Sequence, residues 1–239
     1  MKSVVLIISL LCLSACIQSD PNYSFKVEHA GALRNMMHKG DLSAKADLNL
    51  FKDTENFYAL GALENLKGEI LILNSEPYIS SVNNEALEIK ATFDRNATLL
   101  VSAAVEKWDS QDIPDSISSY SELEAYIETA AISQGINVEE PFPFLLTGVA
   151  ESFDWHVINW PEGDSVHSHE KHIHSGLNGQ ISTQEVEILG FYSRHHHAIF
   201  THHTTNMHLH VRTSNGELSG HVDGLTLGRD MVLALPAAN

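Results

Sequence analysis

The dipeptide Asn215-Gly216 constrains this chain more than any other pair of residues. Asn-Gly is the strongest short hairpin signal, because both central positions of a type I′ turn require positive φ. On its N-terminal side, Met207-His208-Leu209-His210-Val211-Arg212 alternates apolar and polar residues, the pattern of a strand with one face on a core. With Asn215 and Gly216 as the turn, cross-strand partners sum to 431, which sets His210 directly opposite His221. Opposed residues share a face and lie about 5.5 Å apart at Cα in a hydrogen-bonded pair. His208 points the same way as His210, so one hairpin gathers three imidazoles. By the same parity Arg212 and Asp223 share the face, with Asp223 opposite His208.

Imidazole binds zinc at about 2.0 to 2.1 Å, and a three-histidine set leaves a fourth position open for water or substrate, as in catalytic rather than structural sites. The alternative is three solvated or stacked histidines on an exposed sheet face, reached by a register slip or a bulge at Gly220. Asp223 is either an acceptor for a ligand N–H or a plain cross-strand ion. Histidine is abundant nearby: 13 of the 15 in the chain fall between His156 and His221. His167, His169, His172 and His174 sit in a polar loop, and His195 to His197 and His202 with His203 flank a short apolar pair. Such runs are more often flexible and solvated than ligating. Both cysteines, Cys12 and Cys16, precede all of this, so a metal in the body of the chain must take imidazole and carboxylate.

The N-terminus runs from Lys2 through an apolar stretch, Val4 to Leu13, to Ser14-Ala15-Cys16, the order of a secretory signal. The apolar stretch is too short to span a bilayer. Leu13-Ser14-Ala15-Cys16 resembles the lipobox of bacterial lipoproteins, which implies lipidation at Cys16 and an extracytoplasmic, membrane-anchored protein. An ordinary cleaved signal with a chance cysteine is the alternative. Several acyl chains on one residue suffice for stable anchoring, and this is the one membrane contact expected. With 14 basic against 31 acidic residues, a net charge of −17 repels a phosphate backbone, so nucleic acid is excluded as a partner.

The rest of the chain reads as α+β. Residues 17–25 form a polar tether, 26–140 an N-terminal α+β domain and 141–239 a C-terminal sheet domain that carries the hairpin. Apolar spacing predicts a short helix over His29 to His38, stopped by Gly40. Short runs at Phe57 to Leu60, Ile70 to Leu73, Tyr78 to Val82 and Leu99 to Val105 predict strands. Ser121 with Glu124 reads as a capping box that opens a helix through Leu123, Tyr126, Ile127, Ala130 and Ala131 to Gly135.

The motifs together resemble the bacterial α-acetolactate decarboxylases. That family has His-x-His on a strand, about ten residues, then Gly-His-Val; here these are His208-Leu209-His210 and Gly220-His221-Val222. Gly190-Phe191-Tyr192 matches its Gly-Phe-Tyr strand. Gly61-Ala62-Leu63 with Leu66-Lys67-Gly68-Glu69 resembles its Gly-Thr-Phe with Leu-Asp-Gly-Glu. Leu146-Thr147-Gly148 and the segment from Asp230 to Pro236 resemble two further family strands, so the likeness spans most of residues 27–236.

The resemblance implies two mixed β-sheet domains with a few helices and one tightly held zinc ion on His208, His210 and His221. It also implies decarboxylation of 2-acetolactate (2-hydroxy-2-methyl-3-oxobutanoate) to acetoin. A 2-hydroxy-3-oxo acid can offer its oxygens to an open zinc, and a carboxyl group must return a proton to the carbon that loses carbon dioxide. The family's glutamates fall on Glu69 and, one methylene shorter, on Asp230. Glu69 opens the apolar run Ile70 to Leu73, where burial would raise its pKa; the bland alternative is a solvated carboxylate at a strand start. Where the family has Arg-x-Val-Pro, this chain has Ile158-Asn159-Trp160-Pro161, and no arginine lies between Arg95 and Arg194. Arg212 therefore reads either as a substitute clamp for the substrate carboxylate or as a surface arginine. A metal-dependent lyase on another 2-hydroxy-3-oxo acid and a non-enzymatic zinc-binding lipoprotein remain alternatives. A homodimer is compatible with each.

Overall fold

The computed structural model describes residues 23–238; Cys16, the signal and residues 17–22 of the expected tether lie outside them. The first part of the chain supplies β1 (Glu28–Ala30), α1 (Leu33–Lys39), β2 (Ala46–Asp47), β3 (Phe57–Leu63), β4 (Glu69–Leu73), β5 (Glu76–Asn83), β6 (Ala86–Lys90) and β7 (Asn96–Ala104). The remainder supplies β8 (Trp108–Asp112), α2 (Tyr120–Gln134), β9 (Phe142–Val157), α3 (His169–His174), β10 (Leu177–Tyr192), β11 (Met207–Thr213), β12 (Ser219–Leu227) and β13 (Val232–Pro236). No helix among the described residues is long and apolar enough to cross a membrane.

The fold is α+β, as the pattern of elements predicts, with two sheets. The first runs β1-β7-β3-β4-β5-β6 with β2 also on β7, and the second runs β10-β11-β12-β9-β13-β8. Every ladder between these strands is antiparallel, where the family resemblance implies mixed sheets. Parallel neighbours need a long crossover, and the crossover that carries α2 joins β8 to β9, which β13 keeps apart. The change of sheet falls between Ala104 and Trp108, upstream of the Pro-rich link near 140, because β8 pairs with β13.

Strand β9 organises the second sheet. One edge pairs with β10 along nearly its whole length, while the other is divided between β13, at Leu145 to Thr147, and β12, at Ala150 to His156. Since β10 pairs with β11 and β11 with β12, the strands β9, β10, β11 and β12 close a hydrogen-bonded circuit.

Helix α2 packs Leu123, Ile127, Ala130 and Ala131 onto this sheet, an apolar face repeating every three to four residues. It is capped by Ser119 and Glu122 rather than Ser121 and Glu124. Glu124 is engaged elsewhere: its carboxylate accepts from Thr205 Oγ1 and from the Asn206 N–H at 3.0 Å, pinning a distant loop to the helix. Helix α1 begins at Leu33, later than the apolar spacing from His29 suggests, since Glu28–Ala30 is spent pairing with β7. The end of the expected tether is docked: Tyr23 and Phe25 pack on the second core, and Tyr23 donates to the Gln134 carbonyl at 2.6 Å.

A buried layer joins the sheets, with Leu60, Leu71 and Val101 of the first in one cluster with Leu189, Phe191 and Ala234 of the second. Two polar ties fix their mutual position. Ser80 Oγ donates to the Ser219 carbonyl at 2.7 Å, and the Trp160 N–H donates to the Leu66 carbonyl at 2.9 Å.

Candidate metal centre

The hairpin of β11 and β12 has the register that its sequence predicts, with His210 opposite His221, Val211 opposite Gly220 and Arg212 opposite Ser219. The turn itself differs. Gly216 alone has positive φ, at 72°, and its N–H donates to the Thr213 carbonyl at 2.9 Å, so the loop spans Ser214 to Glu217. A four-residue loop has the same centre as a two-residue one, so the partner sum and the face of each side chain are unchanged. No bulge occurs at Gly220. A Cβ there would stand 2.7 Å from the His156 carbonyl oxygen, so glycine is what allows β12 to lie close on β9.

His208, His210 and His221 place one ring nitrogen each within 4.8 Å of one another. The Nε2 atoms of His208 and His210 are 3.2 Å apart; two imidazole nitrogens on one tetrahedral ion with bonds of about 2.1 Å would be roughly 3.4 Å apart. Burial, and then the neighbouring imidazoles, push His208 and His210 well below the usual histidine range, which leaves them neutral as ligands must be. These residues fit a three-imidazole metal site.

Asp223 does not sit opposite His208. The ladder between β12 and β9 slips between Val222 and Gly224, and the carboxylate turns to lie 3.2 Å from His221 Nδ1 and 2.7 Å from His156 Nδ1. Burial raises its pKa, but the two imidazoles outweigh burial and hold it ionised. His221 moves the other way from His208 and His210: burial pulls it down, and Asp223 and the Glu69 charge more than restore it. A carboxylate on the far nitrogen of a ligating histidine fixes its tautomer and orientation.

Glu69, from the first sheet, is buried beside the three rings. Its Oε2 lies 3.8 Å from His210 Nε2, and its Oε1 lies 3.7 Å from His156 Nε2 and accepts from the Ile158 N–H at 3.2 Å. Burial pushes the carboxyl up to about 8, against the pull of the His221 charge and the Ile158 N–H. His156 is the residue that the sequence does not disclose. It lies opposite His221 across the β9–β12 ladder and links Asp223 to Glu69. A single histidine in an alternating strand gives no signal until its partner strand is known.

The group opens into a cavity of about 500 Å³. Leu33, Met36, Leu66, Leu99 and Phe200 form an apolar wall, and His169, His172 and His202 reach the mouth. Helix α1 closes one side by donating from Leu33 and Arg34 N–H to the carbonyls of Ile199 and Ala198, both at 2.8 Å. Two expected residues are not brought here. Arg212, one turn of the pleat further along β11, lies over the Tyr78 ring at 4.5 Å and 3.8 Å from Glu187. Asp230 is exposed, with φ of 60°, in the turn before β13, whose first residue pairs with Thr147. From there to His156 along β9 is on the order of 25 to 30 Å of extended chain. Among the described residues, no lysine or arginine lines the cavity.

No protein-family model and no curated protein matches the sequence. The fold does match solved structures. The crystal structure of α-acetolactate decarboxylase from Bacillus subtilis strain 168 aligns with a TM-score of 0.68 at 12% identity, over 89% of this chain and 86% of that one. Acetolactate decarboxylase from Bacillus subtilis subspecies spizizenii aligns at 0.67 and 13%, over 88% and 85%. A Staphylococcus aureus protein of unknown function, described as similar to α-acetolactate decarboxylase, aligns at 0.67 and 14%, over 87% and 84%. The chain has the fold of these proteins.

Proposed function

We propose that the cavity is the active site of a zinc-dependent carboxy-lyase that converts a small 2-hydroxy-3-oxo acid, 2-acetolactate first among them, to the hydroxyketone, here acetoin. One observation carries the reading: a carboxyl group is buried within 4 Å of converged imidazoles in the lining of a cavity, where burial raises its pKa. The fold shared with acetolactate decarboxylases supports it.

His208, His210 and His221 would hold the zinc ion. When bound, it supplies a Lewis acid for the substrate's hydroxyl and keto oxygens and for the charge left when carbon dioxide departs. Asp223, 3.2 Å from His221 Nδ1, would favour the tautomer that leaves Nε2 free to ligate. The apolar wall excludes water from the reacting carbon. As the bond to the carboxylate breaks, its electron pair stays with the substrate, and Glu69 delivers the proton that completes the product. Water then reprotonates Glu69. Asp230 has no part in this scheme.

The absence of lysine and arginine from the described cavity wall favours one second reading, a lyase for a different 2-hydroxy-3-oxo acid whose carboxylate needs no cationic clamp. The deciding experiment gives purified mature protein racemic acetolactate and measures acetoin. We expect product that disappears with a chelator and returns with zinc. No product from fully zinc-loaded protein removes acetolactate, and a panel of related acids then tests the second reading.

The same proposal places the protein outside the cytoplasm on a lipid anchor at Cys16. Labelled fatty acid should enter the wild type and be absent from Cys16→Ser. Unlabelled wild type would refute the anchor.

A further inference from the structure

Asp223 owes its position to an irregularity. The ladder between β12 and β9 slips between Val222 and Gly224, so Asp223 has no partner on β9. Bulges re-aim side chains and are common beside functional sites. This one sets a carboxylate between two imidazoles, with Oδ2 2.7 Å from His156 Nδ1 and Oδ1 3.2 Å from His221 Nδ1. His156 and His221 face each other across the same ladder, and their ring centroids are 4.7 Å apart. One ligand atom each from His156, His221 and Asp223 lies within 4.8 Å of the others, the closeness that His208, His210 and His221 also reach.

Hydrogen bonding accounts for only half of this arrangement. His156 Nδ1 is bonded to Asp223 Oδ2, whereas His221 Nδ1 and Asp223 Oδ1 are buried and neither has a hydrogen-bond partner among the described residues. Buried polar atoms are nearly always paired, and one cation coordinated by both would satisfy the two at once. Ligand atoms on one tetrahedral ion with bonds of about 2.1 Å stand roughly 3.4 Å apart, so the His221 contact is already close to that spacing and the His156 contact must open by roughly half an ångström. All three residues line the cavity, which gives an ion its way in. With Nδ1 of His221 turned to Asp223, its other ring nitrogen is the one left for the inner ion.

We infer that His156, His221 and Asp223 hold a second divalent ion, zinc or copper(II), and that the His221 ring bridges it to the ion on His208 and His210. Imidazole with carboxylate suits both metals, and water from the cavity completes the coordination. Loading the second position sends the Nδ1 proton of His221 to water and breaks the bond between His156 and Asp223, so it is the weaker of the two. The inference rests on the inner three-imidazole site and not on decarboxylation, because its readouts are metal stoichiometry and spin coupling.

The experiment titrates metal-free mature protein with zinc against a chromophoric chelator. The wild type should take up two equivalents, one tight and one weak. His156→Ala should lose the weak equivalent and keep the tight one; His156→Gln, which can still donate to Asp223, should do the same and serves where the alanine variant does not fold. His169→Ala/His202→Ala should keep both. Loaded with two equivalents of copper(II), the wild type should give an electron paramagnetic resonance intensity well below that of two isolated ions, since an imidazolate bridge couples their spins. A single equivalent in the wild type overturns the inference. So does a weak equivalent that survives both His156 variants or is lost from the His169/His202 variant, and so does the full intensity of two uncoupled copper ions.

Discussion

The imidazoles at the base of the cavity and those at its mouth are the same chemical group held by unlike backbone. His208, His210, His221 and His156 stand on β11, β12 and β9, strands bonded to one another in a closed circuit. His169 and His202 stand on a six-residue helix and on a loop. At the base, burial takes His156, His208 and His210 out of water and a carboxylate lies 3.2 Å from half-buried His221; at the mouth, His169 and His203 remain in solvent. The contrast teaches that ladder hydrogen bonds and burial, not the number of histidines, decide where a chain can present a fixed set of metal ligands. Segments of few buried contacts open at little cost and cannot hold a rigid ligand set.

The comparison breaks first if the base is not the tight site. His208→Ala and His210→Ala should each lower zinc affinity by on the order of a thousand-fold, since each ligand carries a share of about 10 to 16 kcal/mol. His202→Ala should leave the tight ion in place. Chelator competition reads both, and unchanged tight binding in the base variants would move the site to the mouth.

Glu69→Gln sharpens the difference between holding metal and doing chemistry. Turnover should fall by about 100-fold or more with zinc content intact. Near-normal turnover would return Glu69 to a buried structural role. Asp223→Asn probes the support that the mouth lacks, and it should cost about 10- to 100-fold in zinc affinity. Affinity equal to wild type would show that strand geometry alone orients His221.

The smallest effect is expected at Arg212. Its guanidinium covers Tyr78 and does not line the cavity. Arg212→Ala should leave the Michaelis constant unchanged and cost about 0.5 to 1 kcal/mol of stability, the scale of an exposed cation–π contact. A raised constant with zinc unchanged would restore the clamp.

Much of this arrangement is legible in residues close along the chain. The α2 stop at Gly135, the strands β3, β4 and β7, and the register of β11 on β12 all follow from local pattern. The capping box is misread by two residues because Ser119-x-x-Glu122 and Ser121-x-x-Glu124 satisfy one rule equally. What separates them is Thr205 and Asn206, which claim Glu124 from more than 80 positions away.

By itself the sequence determines the three-imidazole face, because a hairpin relates residues only 11 to 13 apart through period-two parity about a turn, and no other element need be known. Whether two elements far apart in the chain meet is not a parity question. It depends on which strand edges pair and how the sheets stack, and those are settled by burial summed over the whole core. So tertiary structure alone decided that His156 stands opposite His221 and that Asp223 turns away from His208 at a slip in the ladder. It also decided that Glu69 reaches the rings from the other sheet, while Arg212 and Asp230, equally plausible in one dimension, are carried away along β11 and β9.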